Sequence, residues 1–105
     1  MILKKEILAE IKRRVRENEP DAQVFLYGSY ARGDANEESD VDLLILLNKE
    51  TLGYKDKIKI TNPLFDLGFD IGQMISPLVQ TKQNWEAKYY YTPLYHNIKR
   101  EGIEI

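Results

Sequence analysis

The segment Val41–Leu47 constrains the fold more than any other part of the chain. Six of its seven residues are valine, leucine or isoleucine, and Asp42 is the single exception. A nearly continuous run of branched apolar residues is typical of a central β-strand that other elements cover on both faces. We therefore expect a layered fold with this strand inside its sheet.

Helical and extended patterns alternate along the rest of the chain. A first helix is predicted over Ile2–Glu19, because apolar residues recur there at four-residue intervals. The order α-β-α-β-α-β-α-α predicts an α/β (α+β) fold, a mixed β-sheet of three or more strands with helices packed on it. The other predicted elements are strands over Val24–Tyr27 and Phe69–Ile75, a short helix after Gly28-Ser29, a loop over 34–39, helices over 49–66, 77–90 and 93–101, and a closing strand or tail over 103–105.

Size and composition limit the classes of protein that fit. With 105 residues the chain has the size of one domain, and we assign residues 1–105 to it. The absence of cysteine excludes disulfides, thiolate nucleophiles and zinc–thiolate sites, and it favours a cytoplasmic protein. No apolar stretch is long enough to cross a bilayer, so no membrane association is expected.

Charge is distributed unevenly along the chain. Residues 34–70 contain nine acids and four lysines, whereas the net charge of the whole chain is only −2. Nucleic-acid binding needs a basic surface that neutralises phosphates, so an acidic centre argues against it. An acidic centre is suited to a cation site instead.

Asp40 and Asp42 are the first candidate site residues. Alternate residues of a strand point to the same face, so the two carboxylates lie side by side and, at about 5 Å, repel by roughly 3 kcal/mol. A bound divalent ion is the simplest way to neutralise this repulsion, and magnesium prefers carboxylate and phosphate oxygens as ligands. Asp70, in the predicted third strand, would be a third carboxylate. It could hold a second ion and accept the proton of an attacking hydroxyl. Asp66, four residues earlier, is the competing candidate for this role.

A phosphate site is predicted opposite these acids. Gly28 allows a tight turn into a helix, which leaves backbone N–H groups free to face phosphate oxygens, and the Ser29 hydroxyl and the Arg32 guanidinium are further donors. The expected reaction is an in-line displacement at the α-phosphorus of a nucleoside triphosphate, with pyrophosphate leaving. No Walker or dinucleotide-binding motif is present, which weakens ATPase and dehydrogenase interpretations.

These residues resemble a known signature. Gly28-Ser29, ten further residues, and then Asp40-Val41-Asp42 look like the motif of the DNA-polymerase-β-like nucleotidyltransferase superfamily, and the Ala31-Arg32-Gly33 extension resembles its minimal nucleotidyltransferase branch, of the MntA-like antitoxin type. The resemblance implies Asp40, Asp42 and Asp70 as catalytic metal ligands for Mg²⁺ and Gly28 with Ser29 at the phosphates of ATP. It also implies that the partner is a HEPN-type helical toxin, and that the toxin is modified by transfer of AMP to the hydroxyl of a tyrosine.

Three alternatives stay open. The chain could neutralise a partner by binding alone, with the nucleotide site non-catalytic, or it could modify a small molecule as aminoglycoside nucleotidyltransferases do. The aromatic C-terminal region around Trp85 and Tyr89-Tyr90-Tyr91 fits core packing or an interface with another copy or another protein. His96, the only histidine, is expected on the surface and outside the catalytic site.

Overall fold

A computed structural model of the chain describes residues 3–105, which form helices and strands around one β-sheet. The predicted α/β class, with helices packed on a mixed sheet, is confirmed. In chain order the elements are α1 (Lys5–Asn18), β1 (Gln23–Tyr27), α2 (Ser29–Arg32), β2 (Val41–Leu47), α3 (Tyr54–Ile71), β3 (Ile75–Thr81), α4 (Lys82–Lys88), α5 (Pro93–Glu101) and β4 (Ile103–Glu104).

The sheet has four strands in the order β3-β2-β1-β4. β2 is antiparallel to β1 and parallel to β3, and β4 is antiparallel to β1. β2 spans the predicted segment and lies inside the sheet, as its composition indicated. α3 makes the crossover that two parallel neighbouring strands require.

Each face of the sheet carries its own core. Leu43, Ile45 and Leu47 point to one face, where α1 and α3 cover them. Leu44 and Leu46 point to the other face and pack against Trp85 of α4 and residues of α5. By alternation Asp42 points to the same face as Leu44 and Leu46, but it is only the second residue of β2. The carboxylate therefore reaches the rim of the helical layer rather than its centre.

The predicted third strand, Phe69–Ile75, is wrong. α3 continues to Ile71 and ends at Gly72, whose φ of 69° is the left-handed conformation that glycine supplies at a helix C-terminus. β3 begins only at Ile75, so Ser76 and Pro77 lie in a strand and do not start a helix. Proline is tolerated there because β3 is an edge strand, paired with β2 alone.

Pro63 lies inside α3, where it cannot donate to the carbonyl of Lys59 one turn earlier. Asn18 at the end of α1 supplies that hydrogen bond instead, since its Nδ2 lies 3.2 Å from the Lys59 oxygen. Arg14 of α1 donates to the Pro63 carbonyl at 2.8 Å. Contacts from α1 thus keep the helix continuous through a residue that the sequence marks as a break.

Both ends of the chain match the sequence-based expectations closely. α1 begins at Lys5, while the predicted start at Ile2 lies outside the described residues. α5 begins where Thr92-Pro93 predicted it, with the Thr92 hydroxyl accepting from the backbone N–H of Tyr95. The closing segment is a strand, β4. Among residues 3–105, every helix is too short or too polar to cross a membrane.

Candidate active site

The bend between β1 and α2 centres on Gly28, which has a φ of 74°. This left-handed conformation is strained for residues with a Cβ. A Cβ at this position would also collide with Oδ2 of Asp42, so the carboxylate lies directly against the glycine backbone. The two separate halves of the sequence motif therefore meet in space.

The first turn of α2 leaves donors available next to that carboxylate. Gly28 O accepts from the N–H groups of Ala31 and Arg32, at 3.1 and 3.0 Å. The N–H groups of Ser29 and Tyr30, the first two of the helix, have no intrahelical acceptor. Such groups are suited to the oxygens of an anion, and they lie beside the acid pair.

Asp42 is the second residue of β2, and Asp40 directly precedes that strand. Asp40 is exposed, whereas Asp42 is half-buried. Burial is the main cause that raises the pKa of Asp42, the charge of Asp40 raises it further, and the Arg32 guanidinium opposes both. The predicted electrostatic conflict between the two acids is confirmed in direction. Nearby cations only partly neutralise this pair.

Tyr27 is a neighbour that the sequence did not identify. It pairs with Asp42 in the antiparallel register between β1 and β2. Burial, and then the charge of Asp42, raise the pKa of the Tyr27 phenol. The Tyr27 phenol is therefore near enough to Asp42 for the charge of that carboxylate to disfavour its ionisation.

Arg32 is held at the margin of the site by two acids. Its Nε lies 3.2 Å from Asp34, and its Nη1 lies 3.2 Å from Glu101 of α5. The guanidinium still acts on Asp42 electrostatically, lowering the pKa of that carboxyl. Surface ion pairs of this kind are weak, so exchanging one for a phosphate contact costs little.

Asp70 does not complete the acid pair. It lies in the last turn of α3, exposed to solvent, because the segment predicted as a strand is helical. Within the described part of the chain, no three acidic or histidine side chains form a group that could hold a metal ion. The three-carboxylate clamp, with its second ion, is therefore not assembled, and Asp66, also exposed on α3, does not replace Asp70.

Ser76 occupies the place on β3 that faces the acid pair. The parallel register pairs Asp42 with Ser76, so the two side chains project from neighbouring strands on the same face. The sequence could have indicated this position, because Gly72 is a helix stop signal that moves the third strand to residues after 72. A hydroxyl therefore stands where a third carboxylate was expected.

Two other features lie away from the acid pair. A cavity of about 480 Å³ opens at the opposite end of β2 and β3, lined by residues that include Leu52, Gln80 and Lys88. In the aromatic region, Trp85 is buried and stacks on Tyr89, which confirms core packing there, while Tyr91 is exposed. His96 is exposed, as expected.

Comparison with known proteins places this geometry in context. Residues 8–94 match the family described as Nucleotidyltransferase domain. A relative from Methanocaldococcus jannaschii named "Putative protein adenylyltransferase MJ0141" is 44% identical over 103 residues, covering 95% of this chain and 96% of that protein. A second protein of that organism with the same description, MJ0604, is 31% identical over 80 residues, covering 76% of this chain and 73% of its own length.

Two solved structures share the fold. One is described as a toxin–antitoxin with AMP-PNP, with a TM-score of 0.66 and 18% identity, covering 97% of this chain and 72% of that chain. The other is a mutant of the toxin–antitoxin MntA–HpeT, with a TM-score of 0.64 and 16% identity, covering 97% of this chain and 71% of that one. At these identities the likeness concerns the fold.

Proposed function

The chain belongs to the Nucleotidyltransferase domain family, and from that premise we propose that it transfers AMP from ATP to a tyrosine hydroxyl of a partner protein. The single observation that carries this proposal is the contact between the Gly28 backbone and the Asp42 carboxylate. That contact joins an anion-binding bend to a pair of acids. Both parts of a metal–triphosphate site therefore lie within one small volume.

The donor set fits one magnesium ion. Asp40 and Asp42 offer oxygen ligands, and magnesium in proteins is usually held by one or two carboxylates, water and substrate phosphates. When bound, the ion supplies positive charge that neutralises the acid pair and the phosphates. With two carboxylates instead of three, the described residues fit a single ion better than a two-ion clamp.

The chain's own groups then position the triphosphate. The N–H groups of Ser29 and Tyr30 and the Ser29 hydroxyl donate to phosphate oxygens, and Arg32 contributes a cation at the margin. The acceptor hydroxyl loses its proton to solvent water and its oxygen attacks the α-phosphorus. The new O–P bond forms as the bond to the β-phosphate oxygen breaks, and pyrophosphate leaves. Positioning and charge stabilisation supply most of the rate in such transfers.

A tyrosine is the acceptor that this site is best suited to. Among residues 3–105 no third acid joins the pair to take the proton of an attacking hydroxyl, and Ser76 occupies the position on β3 that faces Asp42. A phenol, with a pKa near 10, gives up its proton far more readily than an aliphatic hydroxyl. A phenolic acceptor therefore needs the least help from a general base.

A small helical toxin of the HEPN type is the proposed partner, with the chain as its antitoxin. The solved structures that share its fold are described as toxin–antitoxin proteins, and the 44% identical relative is named as a protein adenylyltransferase. The acceptor must come with another molecule, because the described elements all build the sheet and its two helical layers. We also expect the pair to meet in the cytoplasm.

The test is an intact-mass measurement on the partner after incubation with the chain, ATP and Mg²⁺. A mass increase of one AMP, located on a tyrosine, is expected. Asp40→Ala with Asp42→Ala should abolish the increase, whereas the matched control Glu50→Ala should retain it, because Glu50 is exposed in the loop that follows β2, at the other end of the strand from the acids. Modification that persists in the double variant would contradict the proposal.

Neutralisation by binding alone is a second candidate function. It is favoured by the absence, among the described residues, of a third acid beside the pair. In that case the double alanine variant would still neutralise the toxin in cells, and calorimetry would detect no ATP binding to the unaltered chain. Loss of neutralisation in the double variant, with the complex intact, would exclude it.

A further inference from the structure

An apolar groove lies at the end of the sheet that carries the acid pair. It has a volume of about 450 Å³ and is lined by Phe65, Gly68, Phe69, Gly72, Gln73, Met74 and Ile75, which together define it. Three of these side chains are unusually exposed for their type: Phe69 at 89%, Met74 at 66% and Phe65 at 49%. A contiguous exposed patch of this kind marks an interaction site more often than a lone exposed residue does.

The groove is directly connected to the candidate active site. The Met74 carbonyl accepts a hydrogen bond of 2.8 Å from the N–H of Val41, the residue between the two aspartates. Oε1 of Gln73 accepts one of 2.7 Å from the hydroxyl of Tyr30, in the first turn of α2. Two consecutive groove residues, Gln73 and Met74, are thus bonded to both halves of the site. A chain seated in the groove can present a hydroxyl around the end of the sheet.

The charges around the groove specify the chemistry of what binds there. Asp66 and Asp70 each follow a groove phenylalanine on α3, and both are exposed. No lysine or arginine occurs anywhere between Ile60 and Thr81. The groove is therefore apolar, and the neighbouring stripe of α3 is acidic. Such a surface is complementary to apolar side chains flanked by lysine or arginine.

A second copy of this chain matches that surface poorly. The basic cluster on α1 is already engaged, because Arg13 and Arg14 are bonded to Glu10 and Arg16 donates to the Ala22 carbonyl. These contacts neutralise or occupy the guanidinium groups within the chain itself. The other dense group of cations, three exposed lysines of α3, alternates with Asp56 and the part-buried Ile58 and so does not border an exposed run of apolar side chains (Lys55, Lys57 and Lys59). A different protein is the better occupant.

We propose that this groove docks the acceptor protein, through an apolar segment bordered by basic residues, and so determines which hydroxyl reaches the nucleotide. The inference rests on the proposed function, because it assigns the acceptor to a protein. It adds the surface that selects the acceptor. It also gives Asp70 a role, at the border of the groove rather than on the metal.

The experiment uses the full chain and the HEPN-type helical protein as the probe. Affinity is measured by biolayer interferometry, and AMP transfer by intact mass, for the unaltered chain, Phe69→Ser, and Asp66→Lys with Asp70→Lys. The control is Tyr54→Ser, a 79% exposed aromatic on the same helix, about 22 Å from Phe69. All substituted positions are exposed, so folding should be retained, and circular dichroism checks that it is.

Phe69→Ser should weaken binding and transfer by about 10- to 100-fold, as expected for losing one buried phenylalanine at the interface. The lysine pair should weaken binding and reverse its salt dependence. Calorimetry with Mg²⁺ and a non-hydrolysable ATP analogue should give the same affinity for all variants. Tyr54→Ser should behave as the unaltered chain.

The outcomes separate the two proposals. Unchanged affinity and transfer in the groove variants would overturn the docking inference while the proposed function stood. A complex that the groove variants disrupt, but in which no AMP is transferred, would support docking and overturn the proposed function. A complex that does not form with the unaltered chain, or a homodimer in sedimentation that Phe69→Ser dissociates, would overturn the docking inference as well.

Discussion

Replacing Asp42 with asparagine should stabilise the metal-free protein while it destroys the candidate site. Asp42 is the second residue of β2 and Asp40 directly precedes the strand, so an extended backbone would separate them by about 6.6 Å. Their repulsion at that distance is about 0.6 kcal/mol in a water-like medium and about 2.5 kcal/mol at an effective dielectric of 20. Asp40 is exposed and Asp42 half-buried, so we expect about 1 kcal/mol, which corresponds to a rise in Tm of roughly 4–8 °C for a domain of this size.

The pH dependence gives the sign of this effect a separate check. The pKa of Asp42 is raised by burial and by Asp40, so the folded state holds this proton more tightly than the unfolded state does. The protonated Asp42 side chain therefore contributes to the free energy of unfolding at low pH, and this contribution is lost as the pH rises through the folded-state pKa. The gap in Tm between the Asp42→Asn variant and the unaltered chain should therefore widen as pH rises towards neutrality.

The assay is thermal unfolding followed by circular dichroism in EDTA, from acidic to neutral pH, and then with Mg²⁺ and an ATP analogue. Glu50→Gln, in the exposed loop after the same strand, is the matched control and should change Tm little. Mg²⁺ with nucleotide should raise the Tm of the unaltered chain and leave that of Asp42→Asn almost unchanged. A lower Tm for Asp42→Asn in EDTA at neutral pH would refute the idea that the acid pair lacks a neutralising cation.

Substitutions at Gly28, Ser76 and Asn18 test the bend, the facing strand and the continuous helix. Gly28→Ala should reduce transfer more than tenfold without unfolding the chain, because its Cβ meets Asp42 and its φ costs about 1–2 kcal/mol; full activity in a kinetic assay would contradict this. Ser76→Asp should tighten Mg²⁺ binding in calorimetry by placing a third carboxylate opposite Asp42, and an unchanged affinity would show that the register does not bring the two together. Asn18→Ala should lower the free energy of unfolding in urea by about 0.5–1.5 kcal/mol, since the Lys59 carbonyl loses its donor, and an unchanged midpoint would remove this explanation for the continuous helix.

The parts of the fold that sequence predicted well are those where pattern and local chemistry agree. Val41–Leu47 is apolar along its whole length and lies inside the sheet, and Thr92-Pro93 starts a helix where its cap and proline indicate one. The family resemblance carried by Gly28, Ser29 and the acid pair is likewise confirmed by the family match and by the 44% identical relative. Local signals were sufficient there.

The third strand was misplaced because tertiary contacts override local signals in that segment. The predicted helix ended at residue 66, and Pro63 made its limits uncertain, but Asn18 of α1 replaces the hydrogen bond that the proline lacks and the helix continues to Ile71. Pro77 suggested a helix start, but an edge strand accepts it. Both effects depend on partners far away in sequence, so a local pattern could not reveal them, and the assignment of Asp70 to the site failed with the strand.

The central claim is that a metal-bound nucleotide lies between the Gly28–Ser29 bend and the acid pair. Its most direct test is an NMR spectrum of the isotope-labelled chain with Mn²⁺ and a non-hydrolysable ATP analogue, since the paramagnetic ion broadens the signals of nearby amides. We expect the strongest broadening at residues 28–30 and 40–42, with clearly weaker broadening at 80–88, beside the cavity at the other end of the sheet. Broadening centred on residues 80–88, with sharp signals at 28–30 and 40–42, would contradict the central claim.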